Sequence, residues 1–269
     1  MLTSIRSLAA ASLFATMTAL AVPAAAQVTN PADEVEDDSG LGIEFSANAA
    51  ITSEYRFRGV DLSGGDIAIQ GGVDLGLPAG FYVGTWGSSL DEDTVGYGHT
   101  ELDVYGGWAG EFGVAAVDVG VIAYLYPNAG PGEFDYYEGY ASVGASIGPA
   151  EATLGIAYAP EQDSLGGTDN VYVYGDLGFG VPGTPVSLSA HLGYTDGFLT
   201  YTPDGTAFDW SVGAEVALSG TPLSLSLAYV GAEGDPVLLD DGGTPAVFTD
   251  DFVYDYTDDA VVLTLSASF

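Results

Sequence analysis

From Val261 to Phe269 the chain alternates. Val261, Leu263, Leu265, Ala267 and Phe269 are apolar, and Thr264, Ser266 and Ser268 between them are small and polar. Successive side chains of a strand point to opposite faces, so this segment is a strand with one oily and one wet face, ending on an aromatic of the oily face. The constraint comes from repetition. Segments 43–58, 66–77, 80–90, 100–110, 112–126, 134–148, 150–159, 170–180, 185–195, 206–219, 221–231 and 257–269 all read as strands. Each is near or above the ~9–11 residues that a tilted strand needs to cross a bilayer. The expected fold is all-β: a transmembrane antiparallel β-barrel of about twelve strands, with short periplasmic turns and longer extracellular loops.

The links between segments carry that expectation. Pro78-Ala79, Glu111, Pro149, Val181 to Thr184 and Gly220 mark very short turns, whereas 59–65, 91–99, 127–133, 160–169, 196–205 and 232–256 are longer. Short turns on one rim and long loops on the other are the habit of such barrels. A β-sandwich also alternates, but it has no reason to alternate its loop lengths or to end on an outward aromatic. Val230, Val262 and Ile122 break the pattern by falling on the wet face, and Gly87 and Gly106 by falling on the oily one.

The N-terminus reads as a secretory signal over 1–26. Arg6 supplies a positive start, Leu8 to Val22 an apolar stretch, and Ala24-Ala25-Ala26 a small-residue cleavage site. Residues 27–41, with Asp33, Glu34, Glu36, Asp37 and Asp38, read as an acidic flexible segment, and 42–269 as the barrel. Beyond the signal no run approaches the roughly 18 apolar residues of a spanning helix. Yet 47% of the chain is hydrophobic, with 17 Tyr, 39 Gly and no Cys. That composition suits a barrel exported to the cell outer membrane and excludes a disulfide scaffold.

Charge is the second constraint. There is no lysine, and past the signal only Arg56 and Arg58 face an excess of acids in a chain of net charge −35. A nucleic-acid partner is excluded, because neutralising phosphates needs basic side chains. Within the strands the acids keep to the face opposite the apolar residues, which makes that face the lumen. The expected pore-lining set is Glu44, Glu54, Arg56, Arg58, Asp74, Glu101, Asp103, Asp118, Glu138, Asp176, Asp209 and Glu215. Rings of carboxylates favour cations in a pore. Arg56 and Arg58, on the luminal face of the first strand, read either as charge compensation within the wall or as a constriction near the outer mouth.

Tyr82, Trp86, Tyr105, Tyr172 and Tyr174 fall on the luminal side, as space-filling rings or a stacking track; Tyr55, Trp108, Tyr194 and Tyr229 fit outward interface girdles. Luminal Gly72, Gly107, Gly144, Gly178 and Gly213 would leave room for a bore. The two histidines, His99 and His191, give no catalytic constellation; His191, with Ser187 and Ser189, is on the face away from lipid. No enzyme activity, cofactor or metal is expected. Asp235, Asp240, Asp241, Asp250, Asp251 and Asp255 in the last loop lack calcium-loop spacing; they could hold divalent cations bridging to lipopolysaccharide or simply solvate the loop.

The run Ser46-Ala47-Asn48-Ala49-Ala50-Ile51-Thr52-Ser53-Glu54-Tyr55-Arg56-Phe57-Arg58-Gly59 resembles the opening of the TorF family of porins. Gln70-Gly71-Gly72-Val73-Asp74, Gly80 to Trp86, Glu101 to Gly107, Asp118-Val119-Gly120, Tyr126-Pro127 and Tyr136-Tyr137-Glu138 resemble further family blocks, over roughly Ser46 to Pro160. The first loop departs from the family pattern at Asp61 to Ala68. The resemblance implies an outer-membrane channel and no particular solute.

The expected function is passive diffusion of small solutes through an acidic, cation-preferring lumen; the alternative is a closed structural or surface-binding barrel. Expected partners are outer-membrane lipid and lipopolysaccharide, small solutes or cations, and the barrel-assembly machinery, with Phe269 as the membrane-assembly signal.

Overall fold

The computed structural model describes residues 42–92, 96–129, 134–200, 202, 205–233 and 257–269. Among these lie strands β1 (Glu44–Thr52), β2 (Arg56–Phe57), β3 (Val60–Asp61), β4 (Ala68–Gly76), β5 (Phe81–Ser89), β6 (Thr100–Phe112), β7 (Ala115–Leu125), β8 (Tyr136–Ile147), β9 (Ala150–Gln162), β10 (Thr168–Gly180), β11 (Val186–Gly197), β12 (Thr206–Ala217), β13 (Leu223–Ala232) and β14 (Ala260–Ser268). The small β2 and β3 pair only with each other, and the other twelve form a closed antiparallel barrel. The expected export signal and acidic segment, and the aspartates of the last loop, lie outside the described residues.

Closure joins the first strand to the last. Asn48 lies opposite Ser268, and the register runs to Thr52 opposite Thr264. One step further, Ala47 and Phe269 exchange both backbone hydrogen bonds at 2.9 Å. Among the described residues no strand of the barrel wall has an unpaired edge, which is what a sheet needs in hydrocarbon, where no water can satisfy an open backbone group.

The alternation of the sequence becomes the two sides of the wall. Ile69, Leu154, Leu177, Leu192, Val212, Leu227 and Val261 all point outward and are more than half exposed. Apolar surface costs about 25 cal/mol per Å² in water, so a continuous belt of this kind is stable only against lipid. Inward positions carry polar contacts instead, such as Ser224 Oγ with Ser266 Oγ at 2.7 Å and Thr264 with Thr52 at 2.9 Å. The apolar exceptions Val230 and Val262 do turn inward, where they pack with Ala228 as a small buried cluster.

Three expectations about the chain path change. First, β1 stops at Thr52 rather than continuing to Arg58; the chain leaves the wall before β4, and its stretch from Tyr55 to Ser63 folds into the barrel. Tyr55 is therefore buried inside, packed on Trp86, and does not belong to an outward girdle. Second, Glu111 belongs to β6, and the turn falls at Gly113-Val114, where Gly113 has φ +70°. Third, β9 and β10 run on to Gln162 and Thr168, shortening the expected long loop. The Gln162 side chain locks that extension by accepting from Tyr137 N at 2.9 Å and donating to Tyr137 O at 3.0 Å.

Candidate functional site

The barrel interior is crossed by the segment that leaves the wall after β1. Its tip, Arg58-Gly59, joins β2 to β3 with φ +49° and +79°. Positive φ at both central residues is the hairpin turn whose twist matches its strands. Glycine adopts it freely, but arginine does so only under constraint. The constraint is visible in what Arg58 touches. Its Nη1 and Nη2 donate to the two oxygens of Glu138 at 3.1 and 2.6 Å, and its guanidinium lies 4.3 Å from the Tyr172 ring centre and 4.8 Å from that of Phe57. Glu138 is on β8 and Tyr172 on β10, each five strands from β1 around the ring, so the hairpin reaches the opposite wall. A Cβ on Gly59 would come within 2.5 Å of Ala232 Cβ, which leaves no space at the tip for a larger residue.

The root of the hairpin is self-contained. Asp61 accepts from Ser63 N at 2.8 Å and from Gly65 N at 2.7 Å, and Ser63 Oγ accepts from Tyr55 N at 2.9 Å. Arg56 donates to Gly59 O at 3.0 Å and pairs with Glu54. Burial raises the Glu54 carboxyl above its ordinary value against the pull of Arg56. At the tip burial acts to lower the Arg58 guanidinium, but Glu138 outweighs it and the net direction is up, so this side chain stays charged. Around the hairpin the rings of Phe57, Tyr124, Tyr136, Tyr126 and Tyr97 touch in sequence, with stacked pairs at 4.5 Å (Tyr124–Tyr136) and 4.2 Å (Tyr97–Tyr126). Those rings fill space and hold the hairpin rather than present a free stacking track.

The inward carboxylates meet tyrosine hydroxyls more often than cations. Tyr105 donates to Asp74 at 2.5 Å, Tyr82 to Asp118 at 2.6 Å, Tyr55 to Glu101 at 3.3 Å, Tyr124 to Glu138 at 3.3 Å and Tyr172 to Asp209 at 3.2 Å. His191 stands between two acids, its Nδ1 2.6 Å from Asp176 and its Nε2 2.9 Å from Asp209. Among the described residues no cluster of His, Asp or Glu has metal-binding geometry. Glu101 Oε2, Asp103 Oδ1 and Asp209 Oδ2 are buried without a hydrogen-bond partner.

Inward glycines take part in this layer in an unexpected way. A Cβ on Gly155 would lie 2.1 Å from the Tyr174 ring, on Gly120 2.3 Å from the Tyr140 hydroxyl, on Gly193 2.3 Å from the Tyr172 hydroxyl, on Gly84 2.5 Å from the Tyr105 ring and on Gly107 2.5 Å from the Tyr82 hydroxyl. The rings lie flat on the wall across these glycines. So Gly107 seats a tyrosine rather than widening a bore, and a Cβ on Gly72 would likewise press on Trp86 at 3.1 Å.

The expected residues are therefore distributed as follows. Glu101, Asp103, Glu138 and Asp209 are buried inside, in the half nearer the long loops, with Arg58 among them. Asp74, Asp118 and Asp176 are partly buried on the inner wall below, and Glu215, also buried, lies there opposite Ser187 and Ser226. Glu44 is exposed at the short-turn rim. Glu54, Arg56 and Arg58 come from the hairpin, not from the first strand. His99 is outside this assembly, beside Thr100 at 3.0 Å. The sequence reading missed Tyr124, Tyr136 and Tyr140 as interior residues; their place opposite outward Ala123, Tyr137 and Ala141 in the alternation was the available signal.

A closed twelve-strand barrel with an apolar exterior and a polar, hairpin-crossed interior is a porin-like barrel of the small outer-membrane type. Solved structures agree at the level of fold. KdgM porin is 8% identical, with TM-score 0.53 over 83% of this chain and 99% of that chain. NanC porin is 11% identical, with TM-score 0.52 over 84% and 98%. KdgM porin in complex with disordered oligogalacturonate is 7% identical, with TM-score 0.52 over 84% and 98%. The chain belongs to the family described as bacterial protein of unknown function (Gcw_chp), matched over residues 35–269. No curated protein matches the sequence.

Proposed function

We propose that this protein is an outer-membrane channel for small solutes whose acidic interior favours cations and whose outer half is narrowed by the 55–63 hairpin. One observation carries the reading: the inner wall of a closed barrel presents Asp74, Glu101, Asp103, Asp118, Glu138, Asp176, Asp209 and Glu215, against only two arginines past residue 6. Carboxylates facing a water-filled path raise the local cation concentration and repel anions. The resemblance to the TorF family of porins over the first half points the same way. Oligogalacturonate, found with a KdgM porin, is a polyanion; the carboxylates here argue for a different solute class.

The same reading puts the short turns in the periplasm and the hairpin-bearing rim outside, with the chain exported by a signal over residues 1–26. Delivery would use the barrel-assembly machinery, recognising the strand that ends at Phe269, and the acids of the last loop would face lipopolysaccharide. A closed barrel is the second reading, favoured by the hairpin and the tyrosine cluster that fill the outer half. Purified protein in planar bilayers under a potassium chloride gradient separates them. A reversal potential on the potassium side supports the cation channel. A chloride-side potential overturns the selectivity, and no conductance together with no liposome swelling supports the closed wall.

A further inference from the structure

We propose that Glu138, Tyr172 and Tyr124 form a recognition site for solutes bearing a guanidinium group, and that Arg58 is the tethered occupant of that site while the hairpin is in place. The inference rests on the channel reading and names the solute class it would serve.

The chemistry of the site is that of a guanidinium receptor. Glu138 presents both oxygens to the planar fork, and the pairing is bidentate, at 3.1 and 2.6 Å. The Tyr172 ring covers the guanidinium face at 4.3 Å, within the range of a cation–π contact. Tyr124 donates to Glu138 Oε2 at 3.3 Å and so fixes the carboxylate plane. A guanidinium suits this geometry better than an ammonium, which has neither the fork nor the flat face.

The site belongs to the wall, not to the hairpin. Its three residues come from β7, β8 and β10. Tyr172 is seated across Gly193 and bonded to His191 at 2.8 Å and Asp209 at 3.2 Å. Tyr124 is stacked on Tyr136 at 4.5 Å. Phe57 of the hairpin touches Tyr124 at 5.6 Å, but the supports just named all lie in the wall, so the receptor remains when the hairpin withdraws.

The occupant is held imperfectly. Arg58 sits at φ +49°, a region that costs a non-glycine residue energy, and its Nε is buried without a partner. The hairpin carrying it has only two ladder pairs, Arg56 with Asp61 and Phe57 with Val60. A free solute can make the same contacts to Glu138 and Tyr172 without the strained backbone. Below the site the pattern of ring and acid recurs, with Tyr105 beside Asp74 and Tyr82 and Tyr140 beside Asp118, which provides further stations for a cation moving inward.

The full barrel, refolded in detergent and titrated with agmatine by calorimetry, tests the proposal. Arg58→Ala vacates the site and is expected to bind agmatine about tenfold or more tightly than the wild type. Adding Glu138→Gln is expected to weaken that binding roughly a hundredfold. Glu111→Gln, exposed at the short-turn end of β6, is expected to leave it unchanged. In bilayers agmatine is expected to raise the potassium current of the wild type, and Arg58→Ala to conduct without it. Heat-modifiable migration reports folding; if Arg58→Ala does not fold, Arg58→Gln takes its place with the same expectation. Absence of agmatine binding to the vacated site, or binding indifferent to Glu138→Gln, overturns the proposal. Binding as expected with no conductance in any variant supports the receptor and overturns the channel reading instead.

Discussion

The seating of tyrosines on glycines makes a sharp prediction about Gly155→Ala. A methyl there would be built 2.1 Å from Tyr174 Cζ and 2.4 Å from its Cε1, well inside van der Waals contact. The ring cannot simply lift, because it is stacked on Tyr172 at 5.5 Å and lies 6.0 Å from the His191 ring. Forcing a methyl into such a contact costs about 1–3 kcal/mol. Replacing a strand glycine by alanine would otherwise gain about 0.5–1 kcal/mol, so a net loss of up to about 2.5 kcal/mol is expected, in the upper part of that range for so close a contact. Gly139→Ala is the control. It is on the lipid-facing side of β8, and its nearest neighbour would be 4.0 Å away, so the same methyl should be neutral or stabilising. Urea unfolding in lipid vesicles, followed by tryptophan fluorescence and by heat-modifiable migration, measures both. In a Tyr174→Ala background the penalty at Gly155 should disappear, which isolates the pair as its cause. Equal effects at Gly155 and Gly139, or a penalty that survives removal of the ring, would refute the reasoning.

Trypsin reports on the hairpin, since the only basic residues beyond Arg6 are Arg56 and Arg58, both buried. The wild type should resist cleavage. Glu138→Gln, which leaves a buried guanidinium short of its counter-charge at a cost of about 3–5 kcal/mol, should release the hairpin and yield two large fragments while the barrel stays folded. Cation preference should fall as pH is lowered, because protonation of inward carboxylates removes the negative charge that excludes anions; reversal potentials between neutral and acid pH measure it. At the hairpin root the Glu54 carboxyl is raised by burial, so the packed state holds its proton more tightly than the open one. That contribution is full at acid pH and is lost as pH rises through the raised value, so the protection of the Tyr55 to Ser63 amides, relative to the intrinsic exchange rate at each pH, should rise on mild acidification. Phe269→Ser should lower the amount of folded protein in cells while leaving detergent refolding intact, since the backbone pairing of Phe269 with Ala47 does not need its ring.

The wall was legible because a barrel strand reports itself locally. Period-two alternation over about ten residues, as in Leu223 to Ala232, fixes both the strand and its two faces. The acids followed, since Asp118 between Val117 and Val119 can only face inward once those valines face lipid. The hairpin was not legible for the same reason: Glu54, Tyr55, Arg56, Phe57 and Arg58 alternate as well, and alternation is identical whether a strand continues in the wall or bends off it. The one local signal was the Arg58-Gly59 pair, and arginine is a poor match for the first position of that turn. Turn positions showed a related weakness, because Glu111 and Gly113 differ by less than the precision with which a strand end can be read.

Partnerships across strands were beyond reach for a different reason. Whether Gly107 widens a lumen or seats Tyr82 depends on which residue faces it from the next strand, and register is a property of the closed ring rather than of any segment. The same holds for charge. The sequence placed two arginines among many acids; the structure gives one of them, Arg58, a receptor built by three strands on the far wall, while Asp74 and Asp118 are answered by tyrosine hydroxyls. A hydroxyl satisfies one lone pair of a carboxylate and leaves its charge in place. A wall answered by hydroxyls carries little basic counter-charge, which is the condition that the proposed cation path requires and that a core neutralised by arginines would not provide.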